Sequence, residues 1–263
     1  MVILVMEDLT QMFTDDAVIL IDADSIYFRV ACVTKKQNEI RKGINHTMNE
    51  IRKNCLSDKL MVAVKGKGNF RNDICKDYKG NRKELDPDLK KALNYGHQYM
   101  VDYHNAVMAD GMEADDLVSI WSAECRAVDQ PYTIVGIDKD LLQIPGAHYN
   151  FVKKTHEDID EDTGHLKLML QCLTGDTADN IKGVKGVGPK RAEKVLNGIP
   201  MERRWNRVRA CWRANKAGDP TTSWRLLKML ESWEEYDSIR SSLECETSER
   251  KQDERSEQNI QDS

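Results

Sequence analysis

Acidic residues form four short groups in this sequence, and each group adjoins an expected start or end of a structural element. Two groups follow apolar runs, one opens a helical pattern, and one precedes a glycine-rich turn. The groups are Asp22-Ala-Asp24, Glu113-Ala-Asp115-Asp116, Asp138-Lys-Asp140 and Asp176-Thr-Ala-Asp179. Any single group could consist of solvated loop acids or helix caps, because acids are favoured at helix starts.

The four groups together predict a metal site. Carboxylates that share a crevice repel each other, and a hard divalent cation is their natural counterweight. Two Mg²⁺ or Mn²⁺ ions about 4 Å apart could activate water and stabilise the leaving oxygen of a phosphodiester. On an ideal helix Glu113 and Asp116 share a face and Asp115 points elsewhere, so the spacing leaves open which of the three would bind metal.

A glycine-rich turn follows the last acidic group. Residues 180–196 have the spacing of a helix-hairpin-helix element, in which Gly186 and Gly188 would permit a tight turn with positive φ. Pro189 suits the first position of the next helix. Backbone N–H groups there could hold a DNA phosphate without reading a base, although an ordinary helical corner is the alternative. The basic residues around the turn are Lys185, Lys190, Arg191 and Lys194.

A second basic region lies in the middle of the chain. Two segments, 69–71 and 78–83, interleave aromatic and basic residues, as single-strand or end binding would use. A solvated basic loop is the alternative interpretation. The candidate DNA contacts here are Arg71, Tyr78, Lys79 and Arg82.

Three apolar runs predict the elements that position these residues. The predicted strands are Ala17–Ile21, Lys59–Val64 and Tyr132–Ile137. Helical patterns lie between them, at about 44–56 and 112–128. Strands separated by helices indicate a parallel α/β sheet, whose ligands bind beyond the carboxyl ends of the strands. Asp22 and Asp138 each follow such a strand.

Composition sets limits on the class of protein. The 263 residues carry a net charge of -5, but residues 231–263 hold eleven acids against four bases, so the rest is slightly basic. The seven cysteines form no C-x-x-C pair, which fits reduced thiols in a cytoplasm rather than disulfides or a zinc site. Neither a signal peptide nor a transmembrane run is expected. We expect a cytoplasmic protein, in the host bacterium if the source is viral.

The motifs resemble the 5′-3′ exonuclease and flap endonuclease family, particularly its bacteriophage members. The matching segments occur in the family's order at compatible spacing. They are ILIDADS (19–25), NFR…DYKGNRK (69–83), GMEADDLV (111–118), GIDKDLLQIPG (136–146) and LTGDTADNIKGVKGVGPKRAEKVL (173–196). The resemblance implies a Rossmann-like, PIN-like nuclease core, a flexible arch that passes a 5′ end, and a hairpin that grips duplex DNA.

The resemblance also implies roles for the acids. One metal would be held by Asp22, Glu113, Asp115 and Asp138, and a second by Asp138, Asp140, Asp176 and Asp179. Asp116 would support them. Tyr78, Lys79 and Arg82 fall where the family keeps residues at the base of the arch that steer the scissile phosphate. The hairpin of this family often also holds K⁺ through backbone carbonyls.

One departure from the family is clear. Its second core strand usually ends in an acid, whereas Val64, Lys65 and Gly66 occupy that place here. We hypothesise that Asp24 partly substitutes for the absent acid. The gap keeps open an alternative function, a structure-specific DNA-binding protein with a degraded site.

The sequence thus predicts a metal-dependent 5′ nuclease that acts on DNA, or RNA/DNA hybrid, ends and flaps. It would work as a monomer in phage DNA replication or repair. A PIN-type ribonuclease is a second rival, disfavoured by the hairpin. The expected organisation is an N-terminal extension (1–16), a nuclease core (17–165) with a mobile arch at about 65–105, a helical subdomain (166–240) and a disordered acidic tail (241–263).

Overall fold

The computed structural model describes residues 17–245, which are built around a six-stranded sheet. The strand order is β3-β2-β1-β4-β5-β6, and every neighbouring pair is parallel except β5–β6. The strands are β1 Val18–Asp22, β2 Leu60–Lys65, β3 Val107–Ala109, β4 Tyr132–Val135, β5 Gly146–Asn150 and β6 Thr155–Ile159. The predicted α/β fold with a mainly parallel sheet is confirmed.

The central strand is apolar up to its last residue, Asp22, because helices cover both of its faces. All five residues of β1 are buried, and Leu20 is in register with Met61 on one side and Ile134 on the other. Parallel strands buried on both faces have near-continuous apolar sequences rather than alternating ones. The three predicted strands therefore exist, with ends that differ by one or two residues from those expected.

The helices fall into three groups. The helices are α1 Asp24–Val33, α2 Gln37–Cys55, α3 Arg71–Ile74, α4 Pro87–His104, α5 Ala114–Ala127, α6 Glu161–Thr174, α7 Pro189–Leu196, α8 Met201–Ala214 and α9 Thr221–Leu227, and residues 233–245 are also helical. Helices α1, α2 and α4 cover one face of the sheet, and α5 with the C-terminal segment covers the other. Helices α6–α9 surround a third apolar cluster of their own. No helix of the described region is long and apolar enough to cross a membrane.

The prediction of a mobile arch at about 65–105 is wrong for the second half of that segment. Helix α4 is a core helix, in which Leu93 and Met100 are buried against α1 and α2. Gly96 permits this packing, because a Cβ there would lie 2.9 Å from Tyr27 Cβ. The start of the segment is polar and basic, and the apolar stripe begins only at Leu89 and Ala92. The sequence pattern of the segment therefore did not indicate a core helix.

Two predicted boundaries also need correction. The division between core and helical subdomain at 165/166 falls inside α6, which begins at Glu161 because Asp160 caps it by accepting the N–H of Thr163 at 2.7 Å. Residues 241–245, predicted as the start of a disordered tail, are helical, and Leu243 is buried in the core. The predicted N-terminal extension (1–16) and the rest of the tail (246–263) lie outside the described residues.

Candidate active site

Five carboxylates line one cleft of about 440 Å³ at the carboxyl ends of the parallel strands. They come from the end of β1, the start of α1, the start of α5 and the loop after β4. The five are Asp22, Asp24, Glu113, Asp115 and Asp138. Parallel strands bring these segments together because their carboxyl ends share one edge of the sheet. Asp138 lies three residues beyond the end of β4 rather than directly after it.

The start of α5 resolves the ambiguity in the third acidic group. The helix begins at Ala114 with Glu113 as its N-cap residue, and Asp116 accepts the backbone N–H of Glu113 at 3.1 Å. Glu113 and Asp115 thus face the cleft, whereas the side chain of Asp116 is fully buried away from it. The predicted role of Asp116 beside the metals is therefore not supported.

Arg71 is the buried partner of Asp116. Its guanidinium donates to both carboxylate oxygens of Asp116, and also to the carbonyls of Leu226 at 2.8 Å and Lys228 at 3.0 Å. Only 2% of Arg71 is exposed. The prediction that Arg71 contacts DNA is wrong, because all of these donors are used inside the protein and the fork geometry of the guanidinium suits such a buried pair.

Burial and mutual repulsion dominate the electrostatics of the cleft. Burial raises the pKa of Asp22 well above its usual range, and the charges of Asp24, Asp138 and Glu113 raise it further. Burial likewise raises the pKa of Asp115, and the charge of Glu113 raises it further. Within residues 17–245 neither Asp22 nor Asp115 forms an ion pair. A cation bound in the cleft would therefore stabilise the ionised forms of these acids and offset their mutual repulsion.

A loop of basic residues covers one side of the cleft. Lys79 forms an ion pair with Glu113 and lies 3.5 Å from a carboxylate oxygen of Asp179. Arg82 pairs with Asp179 at 2.7 Å, and the Tyr78 hydroxyl donates to Glu113 at 3.1 Å. Tyr78, Lys79 and Arg82 are thus brought together beside Glu113 and Asp179.

The remaining acids lie where the loop after β4 meets the end of α6. Asp176 pairs with Lys139 at 2.7 Å. Asp140 accepts from the amide of Gln171 at 2.5 Å. Burial, and then the charge of Asp138, raise the pKa of Asp140 to about 6. Because Asp138 also raises the pKa of Asp22, its charge acts on both groups of acids.

The donor chemistry of these residues fits hard divalent cations. In the described part of the chain, no three His, Cys, Asp or Glu side chains converge into a ready-made metal cluster. Glu113, Asp176 and Asp179 are each paired with a lysine or arginine. All the acids offer oxygen atoms, the ligands that Mg²⁺ and Mn²⁺ prefer.

The glycine-rich turn differs in part from its prediction. Gly186 has φ +79°, as expected, but Gly188 has φ -85° and is the N-cap of α7, so positive φ was wrongly expected there. Pro189 is the first residue of α7, as predicted. Span 180–196 contains only this one helix, because the preceding helix α6 ends at Thr174. Lys185, Lys190, Arg191 and Lys194 lie around the turn, and all four are exposed.

Four side chains of the described residues contact the acids and were not assigned a role from the sequence; one is Tyr27, whose hydroxyl donates to Asp24 at 2.8 Å. Asn69 donates to Glu113 at 2.9 Å, and Lys139 and Gln171 hold Asp176 and Asp140. Lys139 could have been identified, since it lies between two of the candidate acids. No sequence pattern near Gln171 indicates its role, because Gln171 lies on α6, 31 positions from its partner Asp140.

Comparison with known proteins places this geometry in a family. Residues 17–168, more than half of the chain, match the family model for the 5′-3′ exonuclease, N-terminal resolvase-like domain. DNA polymerase I of Pseudomonas aeruginosa is 29% identical over 199 residues, which are 69% of this chain and 22% of that protein. A 5′-3′ exonuclease of Mycoplasmopsis pulmonis is 27% identical over 198 residues, 68% of this chain and 65% of that protein. The chain thus spans less than two thirds of each of these relatives.

Solved structures show the same fold at lower identity. The 5′-exonuclease of bacteriophage T5 with bound zinc ions superposes with a TM-score of 0.65 at 16% identity, covering 86% of this chain and 98% of that one. The T5 flap endonuclease in complex with DNA and metal ions gives 0.62 at 18% identity, covering 80% and 87%. The match to the family model, supported by this shared fold, shows that the chain belongs to the family of the 5′-3′ exonuclease N-terminal, resolvase-like domain.

Proposed function

We propose that the chain is a divalent-metal-dependent nuclease that hydrolyses phosphodiesters at the 5′ ends and flaps of DNA. The observation that carries this proposal is the cleft in which five carboxylates lie beside Lys79 and Arg82. Acids to hold cations and basic groups to meet a phosphate are the two requirements of metal-assisted phosphodiester hydrolysis. The relatives named as 5′-3′ exonucleases and flap endonucleases support the same activity.

The acids would divide between two ions. Asp22, Glu113, Asp115 and Asp138 would hold the first, and Asp138, Asp140, Asp176 and Asp179 the second. Bound there, Mg²⁺ or Mn²⁺ would supply an activated water and neutralise charge on the phosphate. The influence of Asp138 on the pKa of both Asp22 and Asp140 supports its place between the two groups.

The basic loop would act on the substrate. Lys79 and Arg82 pair with Glu113 and Asp179 in the protein alone, and the Tyr78 hydroxyl binds the same two acids. Cations held by those acids would compete with these ion pairs, and Lys79 and Arg82 would then be available to a phosphate in the cleft. Positive groups fixed beside the reacting phosphate stabilise the charge that develops in the transition state.

The turn before α7 would hold duplex DNA. Lys185, Lys190 and Arg191 are exposed on either side of Gly186 and Gly188, and the N-terminus of α7 lies there. Such a site binds phosphate without reading sequence. K⁺ at the backbone carbonyls of the turn stays a prediction.

The test is cleavage of a 5′-flap duplex labelled at its 5′ end, with Mg²⁺ and then with EDTA. We expect short 5′ products with Mg²⁺ only. Asp138→Asn should abolish cleavage and retain DNA binding, whereas the control Asp58→Asn, whose side chain is 95% exposed before β2, should cleave normally. Full turnover by Asp138→Asn would contradict the mechanism, and tight binding without products would favour the DNA-binding alternative.

The finer features of the proposal need separate measurements. We propose a monomer, which sedimentation would test. Acceptance of RNA/DNA hybrids would be tested by replacing the DNA flap with RNA. Competition by unlabelled duplex DNA would distinguish this nuclease from a PIN-type ribonuclease without a duplex grip. A role in phage DNA replication or repair rests on the named relatives alone.

A further inference from the structure

Asp24 belongs to α1, but its carboxylate lies at the end of β2. Its Oδ1 accepts the backbone N–H of Lys65, the last residue of β2, at 2.9 Å. The same oxygen accepts the hydroxyl of Tyr27 at 2.8 Å. Strand β2 itself ends in Val64 and Lys65, followed by Gly66, and offers no acid there. A carboxylate from the neighbouring helix therefore fills the position beyond the end of this strand.

This arrangement is not a helix cap. Asp24 is the first residue of α1, and a capping acid there would accept N–H groups of the helix's own first turn. Among residues 17–245, its carboxylate instead accepts from the backbone of β2 and from a tyrosine hydroxyl. These two bonds fix the side chain toward the sheet edge, where the other acids of the cleft lie.

The second oxygen of Asp24 is uncommitted. Both hydrogen bonds go to Oδ1, and in the described region Oδ2 has no hydrogen bond or ion pair. Asp24 nevertheless lines the cleft together with Asp22 and Asp138. The backbone N–H of Asp24 donates to Oδ1 of Asp22 at 3.2 Å, so the two acids are adjacent in the cleft. Asp22 is buried and Asp24 is partly buried, and among residues 17–245 neither forms an ion pair, so a cation bound between them would offset their repulsion.

We propose that Asp24 binds the first divalent ion through Oδ2, in place of the acid that β2 lacks, and that Tyr27 is its positioning residue. This inference rests on the proposed function. Of the five acids that line the cleft, Asp24 alone lies on α1, and it adds one ligand to the first site. Affinity for a hard cation depends on the number of charged oxygen ligands, so the loss of this carboxylate has a measurable effect without any DNA present.

The test is calorimetric titration of the DNA-free protein with Mn²⁺. Asp24→Asn keeps an oxygen that accepts from Lys65 and Tyr27 but removes the charge. We expect its affinity for the tighter ion to fall at least about tenfold. The matched control is Asp110→Asn, because Asp110 also accepts a backbone N–H beyond a strand end, that of Lys67 at 2.8 Å, but lies outside the cleft. Its affinity should change less than about twofold, since Asp110 is not among the residues that line the cleft.

Asp22→Asn separates the two proposals. If Asp22→Asn abolishes Mn²⁺ binding while Asp24→Asn binds like the wild type, the inference is wrong and the metal site stands. If the wild type itself binds no Mn²⁺, both are wrong. Mn²⁺ should also raise the melting temperature of Asp24→Asn less than that of the wild type, because the stabilisation by a ligand grows with its affinity.

A second variant keeps the inference testable if Asp24→Asn does not fold. Tyr27→Phe leaves all the acids intact and removes only the hydroxyl that orients Asp24. We expect weaker Mn²⁺ binding than in the wild type, since residues that orient a metal ligand affect affinity. Tyr99→Phe is the control, because it removes a hydroxyl that binds Asn45 on the same face of the sheet but away from the cleft. Equal Mn²⁺ affinity in the two tyrosine variants would overturn the positioning role.

Discussion

Single acids in this site differ according to what lies beside each of them. Burial opposes ionisation of Asp176, but the hydrogen bond from Lys139, together with backbone N–H donors, outweighs it and lowers the pKa. Asp140 has no such ion pair, and burial with the charge of Asp138 raises its pKa to about 6. Neighbouring acids of one site can therefore prefer opposite protonation states when no metal is bound.

The raised pKa of Asp140 predicts a pH-dependent stability of the metal-free protein. Because the folded pKa, about 6, exceeds the ordinary value of 3.8, the folded state holds this proton more tightly than the unfolded state. The stabilisation is complete below the unfolded pKa and is lost as pH rises through the folded pKa. In EDTA, the melting temperature of the wild type relative to Asp140→Asn should fall between about pH 4 and pH 6.5 and then level off.

The control for this pH series is Asp58→Asn, which removes an exposed acid from the opposite end of the sheet. Its melting temperature relative to the wild type should lack that decline. A difference between the wild type and Asp140→Asn that stays constant, or that grows in favour of the wild type with rising pH, would contradict the prediction.

At the scale of elements, one buried ion pair joins three segments that are distant in sequence. Helix α3 has only four residues and cannot be stable alone. Arg71 at its start binds Asp116 of α5 and the carbonyls of Leu226 and Lys228, and Asp116 also accepts the N–H of Leu230 at 3.2 Å. These hydrogen bonds connect residues 226–230 to α5, the helix whose start positions Glu113 and Asp115.

Arg71 and Arg82 should therefore respond differently to the same substitution. Arg71→Met leaves Asp116 buried without its partner, so the free energy of unfolding should fall by about 3–5 kcal/mol. Arg82→Met, whose native side chain is 58% exposed, should change it by less than about 1 kcal/mol but reduce cleavage. Urea unfolding and flap cleavage would measure the two effects. Equal stability of the two variants would show that the buried pair contributes little.

At the scale of the whole molecule, hydrogen bonds join residues 77–81, beside the cleft, to residues 177–180, which follow α6. Asn81 donates to the carbonyl of Thr177 at 2.6 Å, and Asn180 donates to that of Asp77 at 2.8 Å. The N–H of Lys79 bonds to the carbonyl of Asp179 at 2.9 Å. The cleft and the turn before α7 are thus connected. A duplex bound at that turn would therefore be held at a fixed position relative to the acids.

The location of positive charge, rather than its total, should govern DNA binding. The triple variant Lys185→Gln, Lys190→Gln, Arg191→Gln should weaken duplex binding and reduce the slope of log Kd against log salt by about 0.9 for each phosphate that the protein no longer neutralises. A matched triple variant, Lys35→Gln, Lys36→Gln, Arg41→Gln, changes the net charge equally at exposed positions of the α1–α2 region. Filter binding at several salt concentrations would compare them. The same reduction of slope in both would contradict a localised grip.

The sequence by itself determined the features that depend on local pattern. Apolar runs located β1, β2 and β4, and the acids that follow β1 and β4 had to meet at the carboxyl edge once the sheet was parallel. Pro189 marked the first residue of α7 for a similar reason, since its fixed φ and missing N–H suit only that end of a helix.

Only the tertiary structure decided which polar residues face the cleft and which are buried. Arg71 and Asp116 pair across 45 positions, and Asp24 reaches Lys65 across 41. Helix α4 joined the core although its segment begins as a basic loop. Such contacts follow from how α1, α3 and α5 are packed on the sheet, and spacing along a chain carries no information on pairs that far apart. Local periodicity therefore located the site, and long-range packing selected its members.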